Sequence, residues 1–175
     1  MFDATYNFKG KHATYVKFLS KTAERLHKGM RTTAVFNHYV DVYLVAPLIG
    51  VAYNRKAEED NLINDKATIF ADAIIQRQEN LITAYRLVML YDDSTNLTDD
   101  EKIDRAFKQD SDSDKLSDNM ELFHSYMRGG VEWLYEQFSG DANTKEDYLR
   151  NIKEVVENYY NDFKLSLPLD SLPTF

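Results

Sequence analysis

Apolar residues recur at helical spacing along most of this chain. Over 11–28, Tyr15, Phe18, Leu19, Ala23 and Leu26 share one face, and Gly29 supplies a stop. The stretch 31–53 is apolar on most sides. It predicts a helix buried nearly all round and bent or ended by Pro47 and Gly50. A polar connector, 54–65, follows. The pattern over 66–91 then gives the clearest amphipathic helix, with Phe70, Ile74, Leu81, Ile82, Tyr85 and Val88 on its apolar face. Thr98 and Glu101 have the spacing of a capping box for a short helix to about Lys108. Beyond the acidic stretch 109–114, a further helix runs to about Ser139 and is expected to be disturbed at Gly129–Gly130. Thr144 opens the last one, whose buried stripe is Tyr148, Ile152, Val155, Tyr159 and Phe163. Only Phe2, Ala4, Tyr6 and Phe8 alternate, so residues 1–10 read as an extended lead-in with a short edge strand. The expected architecture is all-α: a single compact domain over 1–175 with five or six helices and a Pro-containing tail at 165–175.

Composition narrows the chemistry. The 175 residues are 43% apolar, enough for one core, and 29% charged. The absence of cysteine excludes disulfides, a thiol nucleophile, iron–sulfur clusters and cysteine-ligated zinc. The net charge of −8 argues against a wholly basic nucleic-acid binder. That average conceals an asymmetry: residues 1–56 carry a net +6 and residues 57–175 a net −14. Either the two parts attract each other, or the first presents a cationic ridge to nucleic acid or an acidic partner. The ridge would comprise Lys9, Lys11, Lys17, Lys21, Arg25, Lys28 and Arg31. Residues 1–10 lack the pattern of a signal peptide, and the apolar run within 40–53 is too short to span a bilayer, so a cytoplasmic location is expected.

Two constellations could bind metal. Glu24/His27 and Glu121/His124 have the Glu-x-x-His spacing used by di-iron bundles, but both pairs sit off the apolar stripes and read as solvated. Over 110–121, Asp110, Asp112, Asp114, Asp118 and Glu121 occupy oxygen-ligand positions of a helix-flanked calcium loop. Lys115 replaces the turn glycine there and Ser117 the usual apolar residue, which favours an acidic helix-capping loop. No nucleophile elbow, P-loop or dinucleotide-binding glycine pattern occurs. His38, among apolar neighbours, reads as a hydrogen-bonded core histidine.

The segment FNHYVDVYLVAPLIG at 36–50 carries a further signal. Together with Asn54-Arg55-Lys56, the helix around 67–90 and Gly129-Gly130-Val131-Glu132-Trp133-Leu134, it resembles accessory proteins associated with bacterial DNA phosphorothioation (Dnd) systems. The resemblance covers roughly 30–138 and rests on apolar and glycine positions. It implies a helical, non-catalytic companion of a DNA-modification or restriction (phage-defence) complex. The expected function is thus an accessory, protein-binding component with no cofactor, with contact to DNA and homo-oligomerisation left open. The alternatives are a calcium-binding helical protein using 110–121 and a metal-dependent helical-bundle enzyme.

Overall fold

The computed structural model describes residues 1–21, 34–140 and 145–164. Among these residues, seven helices accompany one two-stranded sheet. In chain order the elements are β1 Tyr6–Lys9, α1 Gly10–Leu19, α2 Tyr39–Ala52, β2 Lys66–Ile69, α3 Ala71–Ile75, α4 Gln78–Tyr91, α5 Asp99–Phe107, α6 Ser113–Phe138 and α7 Lys145–Lys164. The helical class agrees with the periodicity; the helix count is one above the expected range. Packing sorts the chain into two units, Met1–Glu136 and Gln137–Phe175.

In the first unit the lead-in contains a strand, Tyr6–Lys9. β1 pairs antiparallel with β2, Tyr6 opposite Ile69 and Lys9 opposite Lys66. This corrects the single helix expected over 66–91. Ala67 and Ile69 alternate inward, the backbone of 66–69 is taken by β1, and Phe70 stays 68% exposed. A break at Gln76–Arg77 then separates α3 from α4, which accounts for the extra helix. Ile74, Leu81, Tyr85 and Val88 are buried as their spacing predicts.

The helix expected over 11–28 ends at Leu19. Ser20 is extended, and Lys21 N donates to Phe36 O at 2.9 Å while Phe36 N donates to Leu19 O at 2.9 Å, a parallel bridge. Residues 22–33 lie outside the described set. Helix α2 begins only at Tyr39, and His38 is its exposed N-cap residue, not a core histidine. His38 N donates to Asp41 Oδ2 at 3.0 Å, which ties down the first turn.

Helix α2 continues through Pro47 and Gly50 to Ala52. At Gly129–Gly130 the expected disturbance is absent, since α6 runs unbroken through both. Their purpose is proximity. A Cβ on Gly130 would overlap the carbonyl of Ala46, one on Gly50 the carbonyl of Tyr126, and one on Gly129 the carbonyl of Arg55. The backbones of α2 and α6 therefore cross nearly in contact, with Arg55 laid along α6 beside them.

At the far end of α4 sits a fully buried carboxylate, Asp92. It accepts hydrogen bonds from Arg105 Nη1 at 3.0 Å, Tyr126 Oη at 2.7 Å and Ser94 N at 3.1 Å. Burial alone would raise its pKa. The bonds from Ser94, Tyr126 and Arg105 outweigh that and hold the carboxyl well below the usual carboxylate range. Arg105 also donates to Met89 O at 2.6 Å, so one buried ion pair fastens α5 to the end of α4.

Within the second unit, α7 carries the expected amphipathic stripe, but the stripe is only partly covered. Tyr148 is buried, while Tyr159 is exposed and Ile152, Val155 and Phe163 lie between. Thr144 and the tail at 165–175 fall outside the described residues. Among those described, no helix is long and apolar enough to cross a membrane.

Candidate functional site

The connector between α2 and β2 is an acidic strap laid against basic α1. Helix α1 begins at Gly10, whose φ of +57° is the left-handed region glycine favours, and no side chain of its own caps it. The strap supplies the cap. Asp60 Oδ2 accepts from Lys11 N at 2.7 Å, and Asp60 Oδ1 from Leu62 N at 2.9 Å. These backbone bonds, from Lys11 first and then Leu62, lower the Asp60 pKa. Gly10 N donates to Asp65 O at 3.0 Å, and a Cβ on Gly10 would strike Asp60.

Charge fastens the strap further. Lys9 Nζ meets Glu59 Oε1 at 2.7 Å. Lys17 forms an ion pair with Asp65, which also accepts from Thr14 Oγ1 at 3.0 Å. The Lys17 hydrogen bond draws the Asp65 pKa down. Lys11 Nζ lies 2.8 Å from Glu132 Oε1, whose hydrogen bond raises the lysine pKa. The same Glu132 oxygen is 3.0 Å from Nε2 of buried His12, where burial lowers the imidazole pKa against the pull of the carboxylate.

Among the described residues, the basic segment is met in part by the chain's own acids. Of the seven ridge cations, Lys9, Lys11 and Lys17 are in ion pairs, and Lys21 Nζ donates to Asn37 Oδ1 at 3.2 Å. Arg25, Lys28 and Arg31 lie outside the described residues, as do Glu24 and His27.

Between strap and helix opens a cleft of about 510 Å³, lined by Lys11, Tyr15, Glu58, Glu59, Asp60, Leu62 and Ile63. Tyr15 is stacked on Tyr135 of α6, ring centroids 3.9 Å apart and planes 13° from parallel. Leu62 is 97% exposed and Ile63 52% exposed, so the strap presents two aliphatic side chains to solvent at this edge.

The acidic stretch 110–121 is not gathered around a centre. Asp112 Oδ1 accepts from the N–H groups of Asp114 and Lys115 at 3.2 and 3.3 Å, a helix-capping arrangement. Asp114 and Asp118 are exposed on α6, Asp110 precedes that helix, and Glu121 bonds Arg128. Among the described residues, no group of three or more His, Cys, Asp or Glu is placed to hold a metal ion.

The Glu121/His124 pair also divides. Glu121 faces solvent, whereas the His124 ring lies in an aromatic cluster, 4.7 Å from Tyr6 and with Nε2 2.8 Å from Tyr43 Oη. Burial, helped by the Arg128 charge, pushes the His124 pKa down to about 4. Both tyrosines are raised, mainly by burial. His124 is a neutral packing element, off the solvated face on which its helix position placed it.

Sequence reasoning missed the cleft. Its acidic members sit in a stretch that reads only as a polar connector, and nothing local says that Asp60 caps a helix roughly fifty residues earlier. The one available signal was the net +6 segment directly followed by the run Glu58-Glu59-Asp60. No family model, curated protein or solved structure matches the chain.

Proposed function

We propose that this chain is a non-catalytic accessory protein that docks on other proteins through the cleft between the strap and α1. The observation that carries the reading is the exposure of Leu62 at 97%, beside Ile63 and an open cleft, on a strap whose anchoring charges are already paired. Burying one such aliphatic side chain in an interface is favourable by about 1.5–3 kcal/mol. Two neighbouring ones can anchor a contact. The internal pairing of Lys9, Lys11 and Lys17 weakens the case for a phosphate-binding ridge, because contact with phosphate would have to displace those carboxylates. The resemblance to Dnd-associated accessory proteins points to partners in a DNA-modification or restriction complex.

The test is affinity capture from the native host with the wild type and a Leu62→Asp/Ile63→Asp variant, each eluate assayed for protein and nucleic acid. Docking predicts a discrete set of proteins held by the wild type and lost from an equally folded variant. Identical protein sets on both, or nucleic acid alone on both, would contradict it.

A further inference from the structure

The lining of the cleft says what kind of segment it fits. Three carboxylates, Glu58, Glu59 and Asp60, stand against one ammonium, Lys11, and that ammonium is already held by Glu132. Glu59 is paired with Lys9, and Asp60 is occupied at the N-terminus of α1. Glu58 is exposed. Tyr15, which lines the same cleft, contributes an aromatic ring held in place by its stack on Tyr135. A carboxylate and a fixed aromatic ring lining one cleft are the chemistry that receives an ammonium or guanidinium. The exposed Leu62 and Ile63 at the same cleft call for an apolar neighbour on that cation's own chain.

Resting on the docking reading above, we infer that the strap–α1 cleft receives a lysine or arginine side chain carried next to aliphatic residues on a segment of a partner protein. The cation sits between Glu58 and Tyr15, and its aliphatic neighbours cover Leu62 and Ile63. The excess of acid at the cleft steers such a segment in, so association weakens with salt. Lys11 does not repel it strongly, because its charge is neutralised at 2.8 Å by Glu132.

A random peptide library panned on the immobilised full chain tests this. Enrichment of sequences with Lys or Arg adjacent to Leu, Ile or Val is the expected result. The best enriched peptide, labelled for fluorescence anisotropy, should bind Glu58→Gln about fivefold or more weakly. Asp99→Asn, which removes an exposed carboxylate from α5, should bind it as the wild type does. Acidic or purely apolar consensus sequences would overturn the inference, as would no enrichment at all. Equal weakening by both variants would reduce the effect to the overall negative charge and overturn it too. Spermine competing as well as the peptide would assign the cleft to a free polyamine, against a protein segment. If the library yields no basic consensus while Leu62→Asp/Ile63→Asp still abolishes native capture, docking stands and the basic-segment assignment falls.

Discussion

At the residue scale, His124 and Asp92 show how the surroundings of a buried group set its behaviour, burial at the first and hydrogen bonds at the second. An imidazole titrates near 6.5 when unperturbed and near 4 at His124 in the fold. Between those values the unfolded chain binds the extra proton, so His124 favours the fold fully above about pH 6.5. That contribution is lost as the pH falls toward 4, by up to about 3 kcal/mol. Buried His12, also lowered, acts in the same direction. Urea unfolding midpoints should therefore fall between about pH 7 and pH 5 in the wild type, and the slope should flatten in His124→Gln. An unchanged slope would mean the ring is solvated. Asp92 is the stronger case, because removing it leaves the Arg105 guanidinium buried without its partner. Asp92→Ala should lose roughly 3–5 kcal/mol by urea denaturation, against about 1 kcal/mol or less for loss of an exposed pair such as Lys108–Asp104.

At the scale of elements, the crossing of α2 and α6 depends on glycines that helix propensity alone would remove. Gly→Ala in a helix interior gains about 1 kcal/mol of propensity. At Gly130 the added Cβ would overlap the Ala46 carbonyl, and overpacking of that kind costs about 1–3 kcal/mol or more. Gly130→Ala is therefore expected to destabilise, read as a lower urea midpoint; a stabilised variant would mean that α2 and α6 are not in close contact. This crossing also marks where sequence stops being legible. Helices α4 and α5 could be located because their signals are local: the periodic stripe Leu81–Tyr85–Val88 and the Thr98–Glu101 box, seen as Glu101 N donating to Thr98 Oγ1 at 3.3 Å. Strand β2 could not, because Ala67 and Ile69 fit either period until β1, some sixty residues earlier, claims their backbone. The pair Gly129–Gly130 read as helix weakness because their reason lies on another helix.

For the whole molecule, the question was what a +6 segment does beside a −14 body. Lys9 and Lys17 pair with Glu59 and Asp65 of the strap, and Lys11 pairs with Glu132 of α6. Complementary charge was legible from composition. The cleft was not, since it exists only once Asp60 caps α1 and Tyr135 backs Tyr15. Among what the strap leaves outward are two aliphatic side chains, Leu62 and Ile63, and a docking function places contact there. The most direct measurement is a photo-crosslinking amino acid introduced at position 62 in the native host, with position 99 on α5 as the control. Docking through the strap predicts a discrete protein adduct at position 62 and none at 99. Adducts of equal yield at both positions, or an adduct at 62 with nucleic acid alone, would contradict it.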